Sequence, residues 1–321
     1  MKLASVGHTR RQWLFGMAGA ALASSQPRNR IYNPQLAAHM SLWLEEAEFR
    51  NQHLGDILEE AFLSTEHAGF RRIELTSEFL SPDLRVRTQR MLGRTKLQPA
   101  VLFTYGPLYE RAAADASRAE VVEIARQMEG FDTRFVNFSP APRADGRPKT
   151  AEELETQAYQ LNLMGQDLTK AGMGLMVHHD QNAMEDNARE WRYTRAHTET
   201  GLVSFCLDVD WVTRAGLNPL ALIDTAGARL RNLHLRNPRM GDYQELLRDG
   251  DINMLAISRF LRDSSYDGFL TVELLYDQNT RRQYPVTEAL SLSRWYMQEV
   301  FGSRPGNPPV DMGPHVRERK S

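Results

Sequence analysis

Leu202-Val203-Ser204-Phe205-Cys206-Leu207 and Leu230-Arg231-Asn232-Leu233-His234-Leu235 are the stretches on which the reading of this chain turns. Each is a short run dominated by Val, Leu and Phe, the composition of a buried strand. Each meets chemistry-bearing residues at its end: Asp208-Val209-Asp210-Trp211 after the first, His234 and then Arg236-Asn237 at the second. Working outward from this pair, the same unit recurs. Leu36 to Leu44, Arg71 to Leu75, Leu97 to Phe103, Thr133 to Phe138, Met173 to His178 and Phe269 to Leu274 read as further strands, which makes eight.

Between these runs, apolar residues fall at spacings of three and four. Leu54, Ile57, Leu58, Ala61 and Phe62 define one helical face that ends at Gly69. Thr150 ahead of Glu153 resembles a capping box, opening a helix that runs to Ala171 and stops before Gly172. Asp251, Leu255, Ile257, Phe260 and Leu261 mark another helix, ending near Asp267-Gly268, and a last one spans Val286 to Phe301. Strands alternating with helices of this length predict βαβ units and a parallel sheet. Eight repeats predict an α/β fold with one closed (β/α)8 TIM barrel over residues 31–302. Ser139 to Lys149, with its prolines, reads as a loop. No G-x-G-x-x-G or Walker A pattern follows any strand, so nothing local points to a nucleotide.

The 321 residues are 41% hydrophobic and 25% charged, with a net charge of −2, which suits a soluble globular protein and gives no support to nucleic-acid binding. The single cysteine, Cys206, excludes an internal disulfide and cysteine-rich zinc motifs, and reads as a small buried hydrophobe. The first 24 residues differ from the rest. Thr9-Arg10-Arg11-Gln12-Trp13-Leu14-Phe15 precedes the small, apolar run Gly16 to Ala23, with Ala21-Leu22-Ala23 as a cleavage site. This is the pattern of a twin-arginine signal, so a periplasmic or otherwise exported protein is expected. The run is too short for stable membrane insertion. Residues 303–321 carry Pro and Gly clusters without periodicity and read as a flexible C-terminal tail.

In a barrel, functional groups collect at the C-terminal ends of the strands. The fifth run ends in His178-His179-Asp180, the sixth in Asp208, the seventh carries His234 and the eighth Glu273. Alternation puts Met176 with His178, Cys206 with Asp208, Asn232 with His234 and Thr271 with Glu273 on common faces. His178, Asp208, His234 and Glu273 thus point inward together. A lone histidine on an apolar strand is ordinarily a core residue, but four such residues at equivalent positions are a metal-ligand set. Two imidazoles and two carboxylates suit Mn, Co, Zn or Fe more than Mg.

The chain resembles the xylose isomerase-like barrel superfamily of sugar and sugar-phosphate isomerases and epimerases and inosose dehydratases. The resemblance spans about residues 36–302. It is most specific in Phe205 to Trp211, in Arg229 to Arg236, in Gly250-Asp251-Ile252-Asn253 and in Tyr266 to Glu273, and it extends to Ala68 to Leu75. It implies a divalent metal on strands five to eight, at His178, Asp208, His234 and Glu273. Two positions depart from the family pattern. Many family epimerases end strand five in a glutamate, where this chain has His178. The common Asp-x-x-His is Asp208-Val209-Asp210-Trp211 here, which argues against a trinuclear zinc site.

The expected activity is metal-dependent isomerisation or epimerisation of a sugar-like polyol through an enediolate, with Glu273 as base and His179 or Asp180 relaying a second proton. Trp211, Arg236, Asn237 and Glu74 are expected to contact substrate, Glu74 and His39 being the weaker candidates, for the rim or the core. A dehydratase or lyase acting on a keto-inositol or keto-sugar would use the same site. A non-catalytic periplasmic sugar-binding barrel is the third reading. The expected partners are a small-molecule carbohydrate and, in a homo-oligomer, copies of the chain itself.

Overall fold

The computed structural model describes residues 32–277 and 279–302, so the expected signal segment and C-terminal tail lie outside the described residues. The strands are β1 (Gln35–His39), β2 (Arg72–Thr76), β3 (Gln98–Gly106), β4 (Phe135–Pro140), β5 (Gly174–His178), β6 (Val203–Asp208), β7 (Leu230–Leu235) and β8 (Phe269–Val272). Each pairs in parallel with the next, and β8 closes on β1 from Gln35↔Phe269 to Ala38↔Val272. Parallel neighbours need a crossover, and helices supply it. They are α1 (Ser41–Phe49), α2 (Leu54–His67), α3 (Arg85–Arg94), α4 (Arg111–Gln127), α5 (Ala151–Lys170), α6 (Gln181–His197), α7 (Val209–Arg214), α8 (Pro219–Ala226), α9 (Met254–Asp263) and α10 (Val286–Phe301). The chain is a (β/α)8 barrel.

Sequence dictates most of these elements locally. In α2 the buried residues include Leu54, Ile57, Leu58, Ala61 and Phe62, a helical stripe, and the helix stops before Gly69 at φ +92°. Thr150 caps α5 as a full capping box, its Oγ1 accepting from Glu153 N at 3.2 Å. The main core lies between the strands and the helices, where Trp43, Phe62, Trp191 and Phe205 are buried. Each such side chain contributes about 1.5–3 kcal/mol or more over exposure. Among the described residues no helix is long and apolar enough to cross a membrane.

Three boundaries differ from expectation. The first strand does not run to Leu44: it ends at His39, and Ser41 begins α1. That helix buries Leu42, Trp43, Glu46 and Ala47, pairs one turn apart, and Trp43 Nε1 donates to Thr65 Oγ1 at 3.0 Å. Ser139 and Pro140 extend β4 by pairing with Tyr105 and Gly106, so the loop begins at residue 141. The ninth helix starts at Met254 under an Asn253 cap and ends at Asp263, short of Asp267.

The barrel interior is stacked in layers. At its floor Ala100, Val101, Met176, Cys206 and Phe269 form an apolar cluster separate from the main core. Burial pushes the Cys206 thiol up to about 11, so it stays a neutral hydrophobe. Two residues beyond Met176 and Cys206 on their strands stand His178 and Asp208.

Candidate metal centre

Above the apolar floor sits a buried polar layer. Glu74 on β2 is fully buried at the barrel axis. Its Oε1 accepts from Asn137 Nδ2 at 2.7 Å, and its Oε2 accepts from Asn232 Nδ2 at 2.8 Å, His234 Nε2 at 3.0 Å and Thr271 Oγ1 at 3.2 Å. Burial alone would raise this carboxyl, but His234 and the other donors outweigh it and hold it near 2. A carboxylate only accepts, so Nε2 of His234 carries the proton in that bond and Nδ1 is turned to the other side. Of the rim and the core, the two places the sequence left open to it, Glu74 takes the core, where it orients a ligand from beneath. The neighbouring trio His39, Glu74 and His234 has metal-ligand chemistry too. Glu74 already serves four donors, which makes it a hydrogen-bond hub and leaves that trio no shared free corner.

On the mouth side of this layer, His178, Asp208, His234 and Glu273 converge with one ligand atom from each within 4.8 Å of the others. His178 ends β5, Asp208 ends β6, His234 lies in β7, and Glu273 follows β8 by one residue. His178 Nε2 is 4.0 Å from Asp208 Oδ2, and His234 Nδ1 is 2.9 Å from Glu273 Oε2. His178 Nε2, His234 Nδ1 and Glu273 Oε2 are nonetheless buried without a hydrogen-bond partner among the described residues. Orphaned lone pairs aimed at a common point are costly unless something electropositive occupies that point. The set fits a divalent cation. The four residues named from strand alternation are brought together as expected.

The surroundings are strongly charged. Asp208 Oδ1 caps α7 by accepting from Asp210 N at 2.8 Å and Trp211 N at 3.2 Å, while Oδ2 is bound by Arg236 Nη2. Burial opposes ionisation of Asp208, and Arg236 and His178 overcome it, so the carboxyl stays below its ordinary range. Arg236 Nε lies 3.7 Å from Glu273 Oε2 and has no hydrogen-bond partner among the described residues. Burial likewise opposes the charge of Glu273, and Arg236 and His234 hold it well down. His234 is driven the other way. Burial disfavours its charge, but the Glu74 and Glu273 carboxylates raise its pKa well above the ordinary value.

The remaining sequence candidates fall in different places. The Arg236 guanidinium lies 4.1 Å from the Trp211 ring centre, so one face of that ring is covered by protein. Asp180 receives Ser139 Oγ at 3.2 Å, and Ser139 Oγ is 3.5 Å from His178 Nδ1, which places Asp180 behind the ligand. His179 directly follows His178, the last residue of β5, and so faces outward, 6.3 Å from the Phe205 ring. It is buried in the helix layer, and burial, then the charges of His178 and Lys149, push its pKa well down. That placement excludes it from contact with a substrate at the mouth. Asn237 is also committed elsewhere: Oδ1 accepts from Ile252 N at 2.8 Å and Nδ2 donates to Leu247 O at 2.9 Å. It shapes the loop after β7, where a side chain on Gly250 would collide with the Asn237 carbonyl at 1.9 Å.

Glu45 went unnoticed in the sequence. It lies half-buried on α1 and accepts from Tyr276 N at 2.9 Å, in the loop that follows Glu273. Burial pushes its carboxyl up to about 8, the nearby Glu273 charge adds to this, and Tyr276 N–H and Arg236 oppose it. Only its position one turn after β1 could have flagged it.

No family model matches this chain. It is 26% identical over 204 residues to an inosose dehydratase of Clostridium perfringens, covering 58% of this chain. The match spans 66% of that relative's length, just under two thirds. In structure it is similar to a sugar phosphate isomerase/epimerase from Parabacteroides distasonis, with a TM-score of 0.65 and 14% identity over 88% of this chain and 97% of the other. It is also similar to an IolI protein with a bound zinc atom, at a TM-score of 0.63 and 13% identity over 83% and 98% of the two chains.

Proposed function

We propose that this chain is a divalent-metal-dependent isomerase or epimerase of a sugar or sugar-like polyol, acting by removal of the proton beside a carbonyl. The observation that carries this reading is the convergence of His178, Asp208, His234 and Glu273 within 4.8 Å, with three orphaned ligand atoms. These residues would hold Mn, Co, Zn or Fe. An ion bound there polarises the carbonyl and stabilises the charge left by C–H cleavage. Glu273 is the base. Its side chain is 13% exposed against 6% or less for the other three, so it is the ligand that a substrate meets. Arg236 steadies Asp208 and aims an unused Nε–H at a substrate oxygen. Ser139 and Asp180 brace His178 from behind, as outer-shell groups do.

A second fate of the same deprotonated substrate is loss of a hydroxyl, as in a dehydratase or lyase acting on a keto-inositol or keto-sugar. Two observations favour it. His178 stands where a second carboxylate base would stand, and Glu45 keeps its proton at neutral pH near Glu273 and Arg236, as an acid for a departing hydroxyl must. The similarity to an inosose dehydratase supports the same reading. We place the reaction outside the cytoplasm, on the twin-arginine pattern of residues 1–24.

The test is incubation with a panel of ketoses, keto-sugars and keto-inositols in D2O, followed by proton NMR. Exchange of the carbon-bound proton with formation of a new sugar supports the first reading. Exchange with loss of water supports the second. Sugar binding without any exchange would leave a non-catalytic barrel.

A further inference from the structure

We propose that His39 is a substrate-contacting residue, whose Nε2–H is a fixed hydrogen-bond donor to the oxygen that gains charge when the neighbouring C–H breaks. The proposal rests on the reading of the site given above. His39 ends β1 and stands at the level of the metal ligands, its ring centre 5.0 Å from that of His234. Phe103 packs edge-on against His39 at 5.0 Å and against His178 at 5.6 Å, so the three rings wall one side of the mouth.

The tautomer follows from Ser41. Its backbone N–H donates to His39 Nδ1 at 3.2 Å, and its hydroxyl lies 2.7 Å from the same atom. Nδ1 is thus an acceptor, and the ring proton is on Nε2. Nε2 is buried and has no hydrogen-bond partner among the described residues. The nearest carboxylate oxygen, Glu74 Oε1, is 3.8 Å away, too far for a hydrogen bond, and Glu74 is already saturated by other donors. A buried donor left unmade costs about 1–3 kcal/mol, a cost that leucine or phenylalanine at this place would not carry. A donor held in place before the reaction needs no reorganisation when the oxygen becomes negative. His39 gives a hydrogen bond and transfers no proton; the carbon-bound proton goes to Glu273.

The experiment uses His39→Phe, which removes the donor and keeps an aromatic ring, and His39→Gln, which restores an N–H. Nitrogen-15 NMR of the parent should show His39 protonated at Nε2 and bare at Nδ1. His39→Phe should bind Mn2+ or Zn2+ as the parent does and lose about 10²-fold to 10³-fold in proton exchange at the substrate carbon, with KM within about two-fold. His39→Gln should recover part of the loss. A proton on Nδ1, exchange by His39→Phe at the parent rate, or loss of metal binding in that variant would each overturn the role given to His39. A parent that binds no metal and exchanges no proton would overturn the reading of the site itself, and this role with it.

Discussion

Glu74 is the residue on which the site's internal order depends. Its four accepted hydrogen bonds come from β4, β7 and β8, so one side chain ties together strands distant in sequence. Glu74→Ala leaves buried donors and a charged imidazole without their partner, and should lower stability by about 3–5 kcal/mol in chemical denaturation. Glu74→Gln keeps the volume but no longer fixes the proton on His234 Nε2. It is expected to weaken metal binding by about 10-fold to 100-fold, measured by titration calorimetry. Two carboxyls give stability opposite slopes with pH. The pKa of Glu74 is depressed to about 2, so its contribution is present above the ordinary value of 4.5 and is lost as pH falls toward 2. That of Glu45 is raised from 4.5 to about 8, so folding takes up a proton between these values and stability falls as pH rises through them. Glu45→Gln should flatten the fall between about pH 5 and 8 in metal-free protein while leaving the acid limb unchanged. A Glu45→Gln denaturation series that still falls like the parent would show that Glu45 ionises normally.

At the scale of the element, one-residue steps separate chemistry from packing. At the end of β5, His178 faces the mouth and the next residue, His179, the helices, because side chains alternate along an extended chain. His179→Leu removes two buried ring nitrogens that have no hydrogen-bond partner among the described residues. It should leave thermal stability equal or higher and metal content unchanged. Loss of metal in that variant would restore His179 to the site. In the loop after β7, Asn237→Ala should cost about 1–3 kcal/mol by freeing Ile252 N and Leu247 O, with little change in KM. These two cases also mark what the sequence made legible. Alternation alone assigned the inward faces of β5 to β8 correctly. It did not say which polar residues at loop starts were already engaged by the backbone, as Asn237 is. Nor did composition separate β1 from α1, because Leu42, Trp43 and Leu44 continue the apolar run of the strand. What ends the strand is the turn at Met40, and no turn residue advertises it.

For the whole molecule, closure of the sheet is what turns scattered residues into a site. β8 returns to β1, so His39 and Glu273, separated by most of the chain, flank the same mouth. The eightfold alternation made the barrel readable, and with it the ligands on β5 to β8. Asn137, Ser139 and Glu45 were harder to find, and Glu74 was named without its role as a hub, because these roles depend on which side chains meet across the axis, and periodicity carries no such information. The most direct measurement is elemental analysis of the purified protein beside a His234→Ala, Glu273→Ala double variant. Near-stoichiometric Mn, Co, Zn or Fe in the parent, absent from the variant, is the predicted result. A parent that takes up none of these ions even after incubation with them, or a variant that retains them, would contradict the metal site and the proton-abstraction chemistry built on it.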